Sequence, residues 1–363
     1  MNIYNTHYML AAVREMTPEH TFFKQRYFPT NTTMDVFGSS KVLIDYKQES
    51  ARKRAPFVLP RIGSVSIGRE GFSTYDLEPA NISISMPLTL DHLRNRGFGE
   101  SLMSEMTPEQ RARMFLVSDL AELESRIART EEWLAVQTML NNGCVMRHQG
   151  EREDIFEDIP VTFYDGDDNP ALFTPAAPWT HTKENADGTM TIGSWYYDVV
   201  KMSKMLTRRG LPARELLVAS DVGEFLLEDL WIQKMMDNRR MEFGQIAPTE
   251  LTEYVTQLGT FNFMGRNLTI IISDGTFEDD NGNDVPYIDD GSVIVTAPDC
   301  GKGLYGGVTQ LENDGEFHTY AGTRVPQHIF TIKPPAKETQ LTARPLFVPK
   351  RKSPWTVAKK VFD

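Results

Sequence analysis

One glycine-rich segment of the sequence has the spacing of a nucleotide-binding motif. Gly301–Gly306 reads GKGLYG and matches G-x-G-x-x-G, a pattern that lets a backbone approach the phosphates of a dinucleotide. Such a site also needs a helix that begins at the glycines, because the helix N-terminus faces the pyrophosphate. Gly307-Val308-Thr309 follows instead and favours extended structure. The sequence therefore predicts a glycine-rich turn, with nucleotide binding as the alternative.

An acidic segment further upstream could bind calcium. Four side chains fall at positions 1, 3, 5 and 12 of the calcium-loop template: Asp279, Asn281, Asn283 and Asp290. The template needs glycine at position 6, where Asp284 stands, and no helical pattern flanks the segment. We interpret it as a solvated hairpin loop, and a calcium-dependent binding protein stays as an alternative.

The remaining titratable residues predict no catalytic or metal centre. The seven histidines are scattered along the chain, and none forms H-E-x-x-H. No Cys–His spacing suits zinc, and the sequence contains no G-x-S-x-G. We therefore predict that the protein is not an enzyme and uses no cofactor or metal.

The composition is that of a globular protein in a reducing compartment. The 363 residues are 40% hydrophobic and 24% charged, which is enough for two or three domains. Cys144 and Cys300 give no disulfide framework. A formal net charge of −12 argues against attraction to bare nucleic acid. Because neither a signal peptide nor a membrane-spanning run is evident, we expect a protein made and used in a cytoplasm.

The longest helical pattern covers residues 107–143. Thr107 is a good N-cap, Pro108 suits the first helical position, and Gln110 can complete a capping box. The closing Asn-Asn-Gly is a common helix stop. We predict a helix over 107–141, whose length of roughly 50 Å exceeds that of a small domain and is typical of a strut.

One apolar stripe follows this helix. Its members recur at alternating steps of four and three residues, the spacing of one helix face: Leu116, Leu120, Leu123, Ile127, Thr130 and Leu134. The charged residues of the other faces are predicted to be solvated: Asp119, Glu122, Glu124, Arg126, Arg129, Glu131 and Glu132. A coiled-coil seam fits the same stripe, but coiled coils usually sustain more heptads, so we favour a strut.

A basic hairpin is predicted over residues 51–91. Ser64–Ile67 and Ile82–Met86 alternate as strands do, on either side of a glycine-rich turn at Gly68–Gly71. Because an isolated two-stranded hairpin is marginal in water, this hairpin must lie on another surface. Its basic residues are Arg52, Lys53, Arg54, Arg61 and Arg69.

The second half of the sequence predicts a compact α/β layer over residues 196–304. A helix over 194–210 and a strand over 213–220 come first. A third helix, capped by Asp221, runs to residue 238, and strands follow.

A basic turn interrupts the strand-like segments that come after this layer. Lys350-Arg351-Lys352 is followed by Lys359 and Lys360 on an otherwise acidic chain. We interpret the turn as solvated, and contact with an acidic neighbouring copy is the alternative.

The order of these elements resembles the major capsid proteins of tailed phages, and in detail the lambda-type major capsid protein E family. No single segment is specific, but their order and spacing together are. The segments are Phe22-Phe23, Phe28-Pro29, Arg54-Ala55-Pro56, Gly63, PANI at 79–82, Gly99-Glu100, ESRIARTEEWLAVQTMLNNG at 124–143 and ARPLFVPKRKSPWTVAKKV at 343–361.

The resemblance implies an α+β protein with the Hong-Kong-97-type phage capsid fold. The implied parts are an N-terminal arm at 1–50, an extended E-loop hairpin at 51–91, a peripheral domain at 92–195 with its spine helix at 107–141, an axial domain at 196–304, and a return to the peripheral domain at 305–363. The E-loop residues expected at inter-subunit contacts are Arg52, Arg54, Arg61, Arg69 and Glu70. The residues expected in the core of the spine helix are Leu116, Leu120, Leu123, Ile127 and Leu134.

The resemblance also implies a function. It predicts a major capsid protein that self-assembles into hexamers and pentamers and forms the icosahedral head shell around packaged double-stranded DNA. The expected partners are further copies of the chain, scaffold and portal proteins and a decoration protein, with no sequence-specific nucleic-acid binding and no membrane. Assembly is expected in the host cytoplasm and the product in the virion. A shell of the same fold that encloses enzymes is the alternative.

Overall fold

The computed structural model describes residues 9, 21–47, 57, 72–89, 107–149, 156–166, 168–237, 249–279, 282–312, 315–331 and 336–362. Five helices have both ends in these ranges: α1 (Phe22–Tyr27), α2 (Pro108–Asn141), α3 (Ser194–Arg209), α4 (Ser220–Glu228) and α5 (Leu230–Asp237). The strands, in chain order, are β1 (Val42–Lys47), β2 (Phe72–Leu77), β3 (Ile82–Thr89), β4 (Gly143–Gln149), β5 (Phe156–Thr162), β6 (Leu172–Phe173), β7 (Lys183–Glu184), β8 (Met190–Thr191), β9 (Glu215–Ala219), β10 (Thr249–Thr252), β11 (Val255–Phe263), β12 (Arg266–Ser273), β13 (Thr276–Glu278), β14 (Asp284–Pro286), β15 (Val293–Thr296), β16 (Gly301–Tyr305), β17 (Val308–Leu311), β18 (Phe317–Tyr320), β19 (Val325–Thr331), β20 (Ala336–Ala343), β21 (Pro345–Pro349) and β22 (Thr356–Ala358).

A seven-stranded mixed sheet forms the largest layer. Its strand order is β10-β11-β12-β9-β15-β22-β6. β12 runs parallel to β9 and β22 runs parallel to β6, while the other neighbours are antiparallel. The central strands β9 and β15 are buried along their whole length, which suits their mainly apolar residues. Trp195, Val199 and Met202 of α3 belong to the same core.

The sheet contains strands from outside residues 196–304, the range that the sequence predicted for the α/β layer. β6 and β22 lie outside residues 196–304, yet both belong to the sheet. Conversely, β16 begins inside that range and pairs with β21 in a separate ladder. Pairing between distant segments leaves no periodic signal in a sequence, so the predicted contiguous layer was incorrect at both ends.

The long helix α2 has the ends that the sequence predicted. The Thr107 side chain accepts from the backbone N–H of Gln110 at 3.3 Å, and the Gln110 side chain accepts from the backbone N–H of Thr107 at 2.9 Å. Asn142 ends the helix with a left-handed backbone, at φ 51°. Leu123 and Ile127 of its inner face pack on Leu341 and Ala343 of β20. Within the described residues, no helix is both long enough and apolar enough to cross a membrane.

The inner face of α2 departs from the predicted stripe at one turn. Thr130, predicted to lie on this face, is exposed. Glu131 and Glu132, predicted to be solvated, are 0% and 1% exposed. The reason is that cations and backbone N–H groups from other segments surround these two carboxylates, and burial of a charge is tolerated where it is so compensated.

In the described residues, two strands of the predicted hairpin region, β2 and β3, each pair with a strand outside it. β1 pairs antiparallel with β2, so that Lys47 lies opposite Phe72. β3, which contains the predicted strand Ile82–Met86, pairs with β20 instead. The other predicted strand, Ser64–Ile67, lies outside the described residues. β3 follows β20 because its apolar face covers the long helix, where Ile84 packs on the cluster around Leu123 and Ile127.

The third predicted helix is in fact two helices, α4 and α5. They are separated by Asp229, whose backbone is extended. The Asp229 carboxylate is fully buried and accepts from the backbone N–H of Thr182 at 2.7 Å and from Trp195 Nε1 at 2.9 Å. Asp221, predicted to cap the helix, lies in its first turn, and the N-cap is Ala219. The break thus places one carboxylate where it satisfies buried donors.

We expect Leu123→Ala to destabilise the subunit by roughly 2–5 kcal/mol, because it opens a cavity between the long helix and β20. Val117→Ala on the same helix is the matched control, since Val117 is 63% exposed and should change stability little. Equilibrium urea unfolding of the purified subunit measures both. Equal losses for the two variants would contradict the assignment of the buried face.

Candidate functional site on the long helix

A cluster of buried charges joins the long helix to three other parts of the chain. Glu131 accepts two parallel hydrogen bonds from the guanidinium of Arg324, at 2.7 Å from Nη1 and 2.9 Å from Nη2. Lys24 of α1 donates to the same carboxylate at 2.5 Å, and the Tyr305 hydroxyl donates at 2.9 Å. Arg324 also donates through Nε to Glu124 at 2.5 Å. We call these five residues the charged junction.

Three groups of the charged junction, Glu131, Lys24 and Tyr305, shift one another's pKa values. Burial by itself raises the pKa of Glu131, but the adjacent charges of Arg324 and Lys24 outweigh burial and lower the pKa to about 2. Burial opposes the charge of Lys24, yet Glu131 brings the pKa of that amine above its usual value. Burial and then the charge of Glu131 raise the pKa of Tyr305 to about 12. At neutral pH the carboxylate is therefore ionised and the tyrosine hydroxyl remains a donor.

The adjacent carboxylate, Glu132, caps the N-terminus of α1. Thr21 occupies the N-cap position, but its side chain makes no capping hydrogen bond. Glu132 instead accepts from the backbone N–H groups of Phe23 at 2.6 Å and Lys24 at 2.9 Å. The Tyr254 hydroxyl donates to Glu132 at 3.0 Å and accepts from one further N–H of the same turn. A carboxylate suits this place because a helix N-terminus carries unpaired donors and a partial positive charge.

The other side of α1 is attached to the seven-stranded sheet. Arg26 donates to both carboxylate oxygens of Glu215, through Nε at 3.1 Å and through Nη2. The Tyr27 hydroxyl donates to the same carboxylate at 2.6 Å. Glu215 is the first residue of β9 and is 4% exposed. The short helix α1 therefore connects the long helix to the sheet through ionic hydrogen bonds on both sides.

The glycine-rich segment is a strand that lies against this connection. Residues 301–305 form β16, which pairs antiparallel with β21. A Cβ atom at Gly301 would lie 2.2 Å from the ring of Phe28, and one at Gly303 would lie 2.4 Å from Thr30 Oγ1. The glycines thus make room for the chain that leaves α1. The predicted turn was wrong, and the strand β17 follows where a dinucleotide site needs a helix.

The site residues predicted from the sequence fall into two groups, inter-subunit contacts and the core of the long helix. The proposed inter-subunit residues lie outside the described residues: Arg52, Arg54, Arg61, Arg69 and Glu70. The nominated apolar residues of α2 are all buried: Leu116, Leu120, Leu123, Ile127 and Leu134. The structure brings this second group onto one face of the helix.

The acidic segment after β13 is a hairpin, as the sequence predicted. β13 and β14 pair antiparallel, and the Asp279 carboxylate accepts from the backbone N–H of Asn283 at 2.8 Å. Asn281 lies outside the described residues. In the ranges that the structure describes, no three His, Cys, Asp or Glu side chains are grouped to hold a metal ion.

Two lysines of the basic turn contact carboxylates of their own chain. Lys350 is paired with Asp299. Lys352 donates to Asp165 at 2.9 Å, and the same carboxylate accepts from Tyr75. These two lysines therefore meet acidic groups within the subunit, in an exposed setting where each pair contributes little to stability.

A long helix that is attached to a mixed sheet through a short helix is the arrangement in which a family relationship can be sought. The sequence matches the family model of phage major capsid protein E over residues 5–359. The chain belongs to the phage major capsid protein E family. It is a phage major capsid protein, a structural component of the virion. No protein of curated function matches its sequence.

Solved structures share the fold of this capsid protein. A prophage protein of E. coli CFT073 described as a capsid protein has a TM-score of 0.65 at 13% identity, with 98% of each chain covered. The capsid of Ralstonia phage GP4 has a TM-score of 0.51 at 10% identity, with 95% of this chain and 93% of that chain covered. The capsid protein therefore has the α+β Hong-Kong-97-type fold that the sequence predicted. An encapsulin of Synechococcus elongatus PCC 7942 aligns with a TM-score of only 0.40 at 9% identity, over 88% of this chain and 83% of that chain.

The charged junction was missed at the sequence level, although part of its signal was present. Glu131 lies four residues after Ile127 and three before Leu134, so it fits the apolar stripe as well as Thr130 does. An acidic residue on an otherwise apolar helix face indicates a buried partner. The identity of that partner, Arg324, carries no local signal.

We expect Glu131→Gln to destabilise the capsid protein by roughly 3–5 kcal/mol, because it leaves Arg324 and Lys24 buried without their carboxylate. Glu122→Gln is the matched control on the same helix, since its pair with Arg126 is exposed and should contribute less than about 1 kcal/mol. Urea unfolding of the two variants distinguishes these values. A loss for Glu131→Gln no larger than that of the control would contradict the structural role of the junction.

The two buried carboxylates should affect acid stability in opposite directions. The folded pKa of Glu131 is about 2, below the ordinary 4.5, so its stabilisation is present above pH 4.5 and is lost as the pH falls towards 2. Burial raises the pKa of Glu132, so protonation of that group favours the folded state on acidification. Unfolding free energy measured from pH 6 to about 2 should therefore fall less steeply for Glu131→Gln and more steeply for Glu132→Gln than for the unmodified protein. Identical slopes in all three would contradict this assignment.

Proposed function

We propose that the chain self-assembles into hexamers and pentamers that close an icosahedral head shell around packaged double-stranded DNA. The observation that carries this proposal is the family match over residues 5–359. Scaffold and portal proteins, and a decoration protein on the outer surface, are the further partners we propose. Assembly takes place in the host cytoplasm. The net charge of −12 supports a shell that does not bind the packaged DNA tightly.

We propose roles for the parts of the fold as well. The long helix α2 is the spine of a peripheral domain at 92–195, and residues 305–363 return to it. The seven-stranded sheet is the core of an axial domain at 196–304, with β6 and β22 contributed by segments outside that range. Residues 1–50 form an N-terminal arm, of which α1 is the part that holds spine and sheet together. The role of α1 is supported by its ionic contacts, to the long helix through Lys24 and to the sheet through Arg26.

We propose that the E-loop corresponds to the connection at residues 48–71 rather than to the whole of 51–91. Lys47 and Phe72 lie opposite each other in the β1–β2 ladder, so the two ends of this connection are neighbours. β3, the last part of the predicted hairpin, is paired with β20 of its own chain. A long connection with adjacent ends can reach a neighbouring subunit without disturbing the fold that supports it.

Electron microscopy of the purified protein tests the assembly proposal directly. We expect closed shells of uniform diameter. Protein that is folded by circular dichroism yet forms only monomers or irregular aggregates, also when a scaffold protein is co-produced, would contradict it.

Replacing residues 48–71 by Asn-Gly should separate folding from assembly. Asn-Gly forms the tight turn that joins two antiparallel strands, so the β1–β2 ladder can close between Lys47 and Phe72. We expect helix content and thermal unfolding close to those of the unmodified subunit, with no shells in the microscope. A variant that still assembles would show that the connection has no inter-subunit role.

A further inference from the structure

The exposed face of α3 carries a row of polar side chains, three of which are cations. Tyr197, Lys201, Lys204 and Arg208 follow one another at steps of four, three and four residues, which places them on one face of the helix. All four are exposed, whereas the apolar residues on the other faces of α3 belong to the buried core. The row therefore faces solvent in the single subunit.

The surface around this row is basic, although the chain as a whole is acidic. Residues 194–214 contain five Lys or Arg and one Asp, in a chain with a formal charge of −12. That one Asp, Asp198, is buried, and its carboxylate accepts from Lys201 at 2.8 Å. The β11–β12 hairpin, which contacts α3 through Arg266, contributes one Arg and no Asp or Glu over residues 255–273. The local electrostatic potential is therefore positive.

Stabilisation of the helix end accounts for only part of this charge. Cations in the last turn interact favourably with the negative end of the helix dipole. Arg209 lies in that turn and also donates to the backbone carbonyl of Ser353 at 3.2 Å. Lys204 lies before the last turn, and in the part of the chain that the structure describes neither Lys204 nor Arg208 forms an ion pair. Two cations therefore remain available to an external anion.

The basic turn at residues 350–352 extends this surface beyond the end of the helix. The two residues that follow Gly210 line a cavity of about 280 Å³ together with Lys350 and Arg351. Lys350 is paired with Asp299, but Arg351 is exposed and forms no ion pair among the described residues. The turn thus adds a third uncompensated cation beside the end of α3.

The spacing and the chemistry of these groups fit the phosphates of duplex DNA. From Tyr197 to Arg208 the row is roughly 16 Å long, and over that length a duplex carries about nine phosphate charges. Each cation can therefore meet a phosphate whatever the base sequence. Lys, Arg and Tyr side chains are also common donors to phosphate oxygens in protein–DNA contacts. Contacts of this kind carry no sequence information, which suits a shell around a whole genome.

We propose that α3 and the basic turn bind the phosphates of the packaged duplex, so that this surface faces the interior of the shell. The inference rests on the proposed function, because it identifies the part of the subunit that contacts the enclosed DNA. Few cations take part and the rest of the chain is acidic, so the binding is weak and strongly salt-dependent. Weak contacts let the duplex slide along the shell as it is packed or released.

DNA binding by the unassembled capsid protein tests the proposal without requiring a shell. Fluorescence anisotropy with a labelled duplex of about 30 base pairs gives the affinity from about 50 to 200 mM salt. Three phosphate contacts should weaken the affinity roughly 40-fold over this range, against roughly three- to fourfold for Lys204→Gln combined with Arg208→Gln. At about 50 mM salt this double variant should bind roughly tenfold or more weakly than the unmodified protein. Unchanged affinity and salt dependence would overturn the proposal.

A matched control removes the same charge from other elements. Lys183→Gln on β7 is combined with Arg113→Gln on α2, since both side chains are exposed and neither forms an ion pair in the described ranges. We expect DNA binding close to that of the unmodified protein. An equal loss in the control would show attraction by net charge alone and would also refute the assigned surface. Circular dichroism establishes that both double variants are folded.

An acidic face of a second copy is the competing occupant of this basic surface. In that case Lys204→Gln combined with Arg208→Gln would lower the yield of shells and leave the DNA affinity unchanged, which would contradict the proposal.

Chemical labelling inside the head gives a second, independent measurement. A small acylating reagent is applied to DNA-filled heads and to heads emptied of DNA, and modified lysines are quantified by mass spectrometry. We expect Lys204 to react several-fold less in the filled heads, with Lys183 equally reactive in both. Equal reactivity of Lys204 in the two preparations would exclude contact with the packaged duplex.

These results separate the inference from the proposed function. Shells that fill with DNA, together with unchanged DNA affinity in the double variant, refute only the inference. A protein that forms no shells but binds DNA through Lys204 and Arg208 refutes the proposed function and supports the phosphate-binding surface. If shells and this DNA binding are both missing, the two proposals fail together.

Discussion

A carboxylate can be buried in a protein only where cations and donors replace the water around it, and Glu131 imposes this condition on the C-terminal part of the long helix. Its partners come from α1, from β16 and from the turn before β19, which are far apart in the sequence. An incomplete set would leave a buried charge without compensation. The helix, the segment that contains α1 and the strands near Arg324 must therefore reach their places together, which makes the folding of the subunit cooperative.

The same physical principle operates on both sides of α1. This helix has only six residues, too few to be stable alone in water. Glu132 supplies its missing cap, and Glu215 holds its last turn through Arg26 and Tyr27. A short helix that is defined by its contacts can fix the position of the long helix relative to the sheet. For a capsid protein, the position of the long helix relative to the sheet sets the shape of the subunit that is repeated over the shell.

Local signals in the sequence predicted the long helix and α3, because their caps and stops are adjacent residues: Thr107 with Gln110, and Gly210 after Arg209. They failed where a distant group decides the local structure. Asp229 interrupts a helical pattern because Thr182 and Trp195 need its carboxylate. Glu131 is buried because Arg324 is present, and β3 pairs with β20, a strand far later in the chain. The described charged junction thus depends on pairings that no periodicity records, whereas the overall fold class was implied by the resemblance of the element order to a known family.

The position of β22 in the sheet has a consequence for synthesis. Among the described strands, β22 lies between β15 and β6, so β6 is joined to the sheet by a strand that is translated long after it. While the nascent chain is still on the ribosome, the edge of β15 lacks this neighbour and Leu172 and Phe173 have no strand to pair with. The subunit cannot present its finished surface until residue 358 has emerged. A chain released before β22 is made therefore keeps an unpaired edge at β15.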